Sequence, residues 1–188
     1  MAYGRIVIGG PSNSGKSAFA IIIQRCLNQV GTHTFHRDYD PFSPTRDYAR
    51  GKISEEDRIN LKKPNSEEDI VKRAEEFRAL GSGYDLIIGD LPGRTGKTTV
   101  ILASSATHAI ILCSDKKLNE KNNWIELFKK IKIPIICMLE SNQNSIEEIC
   151  DGELITGKLS NLNRDNVPPP PYSDTMIKLA TAIGKKFQ

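Results

Sequence analysis

The stretch "GPSNSGKS", residues 10–17, decides the fold of this chain. It fits the spacing G-x-x-x-x-G-K-[ST] at every fixed position, with Gly10, Gly15, Lys16 and Ser17 in place. The apolar run "GRIVIGG" (4–10) before it reads as a strand, and "KSAFAIIIQRCLNQV" (16–30) after it reads as a helix. A glycine-bounded loop between strand and helix turns successive backbone N–H groups inward, and the helix opening near Lys16 adds the positive end of its dipole. Such a cradle suits phosphate. Lys16 is placed to reach the outer phosphates, and the Ser17 hydroxyl to ligate Mg²⁺. The expected binding set is Gly10, Pro11, Ser12, Asn13, Ser14, Gly15, Lys16, Ser17 and Ala18, with Lys16 also catalytic and Ser17 a metal ligand.

Outward from the loop, short apolar runs alternate with helical patterns. "THTFHR" (32–37), "YDLIIGD" (84–90), "THAIILCS" (107–114), "IPIICMLES" (133–141) and the shorter "ELITGKLS" (153–160) read as strands. Helices are expected at 66–81, with Ser66 as cap and acidic residues in its first turn, at 119–131, and from "SDTMIKLATAIGKKFQ" to the end. Near-continuous apolar strands separated by helices imply an α/β fold of three layers with a mostly parallel central sheet of five or more strands. The tetraproline at 168–171 pins the last helix onto the same domain, so residues 1–188 are expected to form one nucleotide-binding domain.

The second stretch of note is "GDLPGRTGKTT" (89–99). Its Gly96-Lys97-Thr98 imitates the end of a phosphate loop, but the upstream glycine would have to be residue 91, which is Leu91. Lys97 is therefore expected to start a helix or face solvent. Asp90 instead stands at the carboxyl end of an apolar strand, where open α/β sheets bind ligands. Asp85, at the strand's start, lies at the wrong end.

The loop and its βαβ setting resemble the P-loop NTPase superfamily. That resemblance implies a Walker B role for Asp90, holding Mg²⁺ with Ser17. It also implies that Gly93, the glycine of a D-x-x-G element, offers its N–H to the γ-phosphate. Arg94 follows directly, either as a catalytic charge near the γ-phosphate or as a surface arginine. The run "HRDYDPFSPTRDYARGK" (36–52) loosely resembles the acceptor loop of uridine-kinase-like enzymes. Asp38 or Asp40 would then be a catalytic base, with Arg37, Arg46 or Arg50 gripping an anionic acceptor; the family's paired aspartates are absent.

Neither "SDKK" (114–117) nor "ESNQN" (140–144) fits the guanine-reading N-K-x-D pattern, which favours ATP over GTP. Residues 9–12 are Gly-Gly-Pro-Ser and carry no additional lysine, so the deviant, dimer-forming loop subclass is not supported. "GGPSNSGKS", "GDLPGR" and "GKLSNLNRDNVPPP" together resemble the P-loop domain attached to some CRISPR-associated ring nucleases, which would place residues 162–166 by the base or at the surface.

A net charge of +3 over 188 residues suits phosphate ligands but does not indicate nucleic acid. The four cysteines form no C-x-x-C, and Cys113 and Cys137 lie inside apolar runs as small buried hydrophobes. No apolar run reaches membrane-span length and no leader pattern opens the chain, so a cytoplasmic protein is expected. The leading expectation is Mg²⁺-dependent binding and slow hydrolysis of ATP or GTP, with a protein partner or acceptor left open. The alternatives are a small-molecule or nucleotide kinase, and a nucleotide-binding regulatory module without turnover.

Overall fold

The computed structural model describes residues 4–39, 54, 56, 66–80, 83–143, 146–160, 162 and 170–187. Asp40, Arg46, Arg50, and residues 163–166 of the late polar run lie outside them.

Seven strands form one sheet in the order β2-β3-β1-β4-β5-β7-β6. β1 is Gly4–Gly9, β2 Thr34–Asp38, β3 Leu86–Asp90, β4 His108–Ser114, β5 Ile135–Ser141, β6 Glu148–Cys150 and β7 Ile155–Leu159. All neighbouring pairs run parallel except the edge pair β6–β7. The interleaved strand order follows from parallel pairing, since each such pair needs a crossover and the crossovers here are mostly helical.

One face is covered by α1 (Lys16–Gln29) and the final helix α5 (Asp174–Lys185). Their buried residues Phe19, Ile23, Leu27, Leu179 and Ile183 meet the alternate strand residues Ile6, Ile8, Leu86, Ile88, Ile110 and Leu112. The other face carries α2 (Glu67–Ala79), α3 (Lys97–Ala103) and α4 (Lys121–Lys130). There Phe77, Leu102, Trp124 and Phe128 pack on Val7, Ile87, Ile111 and Cys113. The period-two alternation within each strand thus feeds two cores, and the three-layer α/β expectation is met. Cys113 and Cys137 are buried as expected, and burial pushes the Cys113 thiol up to about 11.

Helix starts follow the local chemistry. Ser66 accepts from the Asp69 N–H, and the Asp69 carboxylate accepts from the Ser66 N–H, a complete capping box with Glu67, Glu68 and Asp69 in the first turn. Ser173 caps α5 by accepting from the Met176 N–H. A 3₁₀ turn at Asp115–Glu120 comes before α4, so that helix begins two residues later than its pattern suggests. Among the described residues no helix is long and apolar enough to cross a membrane.

Candidate nucleotide site

The carboxyl ends of β1, β3, β4 and β5 gather around residues 10–17. The loop's turn is written in its backbone: Gly10 has φ 149°, Asn13 61° and Gly15 79°. Gly10 is fixed by space as well, since a Cβ there would run into the Leu112 carbonyl oxygen of β4. A Cβ on Gly15 would lie 2.7 Å from the Leu162 Cβ. α1 then starts with no side-chain cap and no acidic residue in its first turn, unlike α2 and α5. No side chain satisfies its leading N–H groups, and a helix start of this kind favours an anion.

The loop is wired to the strand ends. Ser14, 1% exposed, accepts from the Ser114 N–H through its hydroxyl at 3.2 Å. Its carbonyl accepts from the Ser141 hydroxyl at 2.9 Å. Lys16 is also buried, and its Nζ donates to the Pro11 carbonyl at 3.0 Å, so the ammonium is held over its own loop. Pro11 and Ala18 are buried, while Ser12 and Asn13 are exposed.

Asp90 is 1% exposed at the end of β3 and accepts from the Ser17 hydroxyl at 2.6 Å. Two hard oxygen donors, one neutral and one a carboxylate, thus stand together at the loop's exit. This donor set fits Mg²⁺, which takes one or two protein oxygens and fills its shell with water and phosphate. Among the described residues no group of three or more His, Cys, Asp or Glu gathers as an all-protein metal cage.

The turn after Asp90 lies directly on the loop. The Leu91 N–H donates to the Ile8 carbonyl at 3.1 Å, and a Cβ on Gly93 would stand 2.6 Å from both the N and Cα of Ser12. Arg94 beyond it is exposed, its carbonyl accepting from the Thr99 hydroxyl. Lys97 starts α3 and pairs with Glu67 at 2.7 Å, both side chains largely exposed. The Gly-Lys-Thr imitation therefore takes no part in a phosphate loop.

Asp38 pairs in register with Asp90 across β2–β3, so both carboxylates stand on the α1 side of the same sheet edge. Arg37 points the other way. Its guanidinium meets Glu76 of α2 at 2.9 Å, because alternation along β2 turns it away from the face of His36 and Asp38. The structure thus places Arg37, one of the three arginines expected to grip an acceptor, against α2. Asp85 accepts from the His33 N–H near the strand start, far from the loop as expected.

A cleft of about 300 Å³ opens beside the loop, between Asn13, Ser14 and Gly15 and two strand-end runs: Ser114, Asp115 and Lys116 after β4, Ser141, Asn142 and Gln143 after β5. Leu162 closes it with an apolar wall. The two runs that fail the guanine pattern are thus the ones that line the cleft. Their position at strand ends signals a ligand site even where their letters match no motif.

A glycine-bounded loop between strand and helix at a parallel sheet's carboxyl edge, with a strand-end carboxylate facing its serine, is the architecture of the P-loop fold. Solved structures similar to the chain share it. A plasmid partition protein of Borrelia burgdorferi B31 matches over 100% of this chain and 98% of its own, at 16% identity and TM-score 0.65. The septum site-determining protein MinD of Pyrococcus horikoshii OT3 matches over 77% and 72%, at 18% identity and TM-score 0.57. Cobyrinic acid a,c-diamide synthase of Mycobacterium smegmatis matches over 76% of each chain, at 12% identity and TM-score 0.58. No protein-family model matches the chain, and no curated protein matches it by sequence. Identities this low carry the fold alone.

Proposed function

We propose that the chain binds Mg²⁺–ATP and hydrolyses it slowly, with the turn at Gly93 reporting the γ-phosphate, as a nucleotide-controlled switch. The observation that carries this reading is the 2.6 Å hydrogen bond from Ser17 to Asp90. It joins the end of the phosphate loop to the end of β3, so Ser17 and Asp90 would hold Mg²⁺, which neutralises charge between the outer phosphates. Lys16 and the loop N–H groups hold the phosphate chain. Adenine is favoured because the strand-end runs lack N-K-x-D. The three similar structures support it: they were solved with AMPPNP, Mg-ADP, and an ATP analogue with magnesium.

The cleft beside Gly15 would take the nucleoside end, with a base lying against Leu162 and its edge toward Asp115 and Asn142. Leu162→Ala should then weaken ATP binding by about tenfold, the order expected from losing most of one buried leucine's apolar contact. Inorganic tripolyphosphate should bind wild type and variant alike. Equal loss for both ligands would place Leu162 in loop support rather than base contact.

The deciding experiment is phosphate release from Mg²⁺–ATP with no acceptor added. Steady release supports the hydrolase reading. The kinase reading keeps one observation in its favour, the Asp38 carboxylate in register beside Asp90. It requires that transfer depend on an added metabolite and vanish in Asp38→Ala or Asp40→Ala. Tight binding with no turnover in either assay would leave a regulatory binding module.

A further inference from the structure

We infer that Ser12 is a positioning residue whose hydroxyl couples the phosphate loop to the Gly93 turn, so that the site tells a triphosphate from a diphosphate. The inference rests on the switch reading above and adds to it a residue that the loop motif leaves free. The spacing G-x-x-x-x-G-K-[ST] asks for nothing at position 12, yet that residue is the one the turn sits on.

The Ser12 hydroxyl donates to the Gly93 carbonyl at 3.3 Å. The backbones are also in close contact, because any Cβ on Gly93 would collide with the N and Cα of Ser12 at 2.6 Å, and with its hydroxyl oxygen. The turn is thus held at two points. Leu91, 1% exposed, is tied to the end of β1 through the Ile8 carbonyl, and Gly93 is tied to the loop through Ser12. Beyond Gly93 the chain runs out exposed through residues 94–97, and Gly96 has open space around it. The Ser12 hydroxyl therefore sets the height of the Gly93 peptide over the loop before the chain leaves for α3.

The consequence is selective for one end of the nucleotide. Loop amides and Lys16 serve the phosphates that ATP and ADP have in common. Only the third phosphate needs the turn at a fixed height. A turn freed from Ser12 must be ordered again when the triphosphate binds, and that ordering opposes binding. The diphosphate does not call on the turn and escapes this cost.

The test compares the full chain with Ser12→Ala, Ser12→Thr and Lys16→Ala. Titration calorimetry with Mg²⁺ uses AMPPNP and ADP as probes, and steady-state hydrolysis of ATP is measured beside it. Loss of one neutral hydrogen bond corresponds to a two- to roughly tenfold change. Ser12→Ala should weaken AMPPNP by that factor, leave ADP within about twofold, and raise the KM for ATP more than it lowers kcat. Ser12→Thr, which keeps the hydroxyl, should restore the AMPPNP-to-ADP ratio. Equal weakening of both nucleotides would reduce Ser12 to loop shape and overturn the inference, as would an unchanged ratio. If Lys16→Ala left both affinities intact, the switch reading itself would fall and take the inference with it. A normal Lys16→Ala loss with an unmoved Ser12→Ala ratio would sink the inference alone.

Discussion

Lys16→Ala should raise the dissociation constant for ATP by about a hundredfold while the chain still folds. Charge-assisted hydrogen bonds contribute about 1.5–3 kcal/mol each, so losing contacts to two phosphates is worth on the order of 3 kcal/mol. Lys16 is 7% exposed, and its ammonium lies over the loop against the Pro11 carbonyl, already carried out of bulk water. Arginine is not a substitute, since its planar fork differs in shape and reach from a point charge. A thermal-shift titration reads the effect without any assay of turnover. At a nucleotide concentration about a hundred times its dissociation constant, the wild type gains about 2.7 kcal/mol of stability. A variant weakened a hundredfold gains only about 0.4 kcal/mol at the same concentration. Equal shifts in the two proteins would mean that residues 10–17 do not hold phosphate.

The loop was legible because its signal is local. Two glycines, a lysine and a serine at fixed spacing, between an apolar run and a helical pattern, need no tertiary information. Ser66 and its acidic first turn are equally local, and the capping box forms as read. Asp90 and Gly93 were legible for a related reason: a strand's end names the sheet edge, and a glycine just after it permits close approach. The cleft was not legible as a unit. Ser14 meets Ser114 across 100 residues and Ser141 across 127, and no pattern in either run announces that meeting. β6 escaped for want of length. Its three residues, Glu148–Cys150, offer no alternation to detect, and their pairing with β7 is decided by the partner strand. The side on which Arg37 lies follows from a local signal as well. Period-two alternation along β2 puts His36 and Asp38 on one face and Arg37 on the other, toward Glu76.

Asp90→Asn should move function and stability in different directions. The carboxylate is 1% exposed, and taking an ionised carboxylate out of water costs several kcal/mol that hydrogen bonds and neighbouring charge only partly offset. Asparagine keeps the shape, and its side-chain oxygen can still accept from the Ser17 hydroxyl, now at 2.6 Å from the carboxylate. The variant without nucleotide should therefore melt no lower than the parent. What it loses is the negative charge that a hard cation requires. Mg²⁺-supported ATP binding should fall by at least tenfold, turnover by about a hundredfold, and the Mg²⁺ concentration for half-maximal activity should rise. Asp90→Ala supplies the contrast. It leaves the Ser17 hydroxyl without its acceptor and opens a void at the strand end, so it should lose about 1–3 kcal/mol of stability as well. A carboxylate that served only to tie β3 to α1 would behave otherwise. Asp90→Ala alone would then melt lower, and the activity of Asp90→Asn per folded molecule, at any Mg²⁺ concentration, would equal the parent's. Paired melting curves and Mg²⁺ titrations on the two variants separate a metal ligand placed at a cost in stability from a residue that holds the sheet edge together.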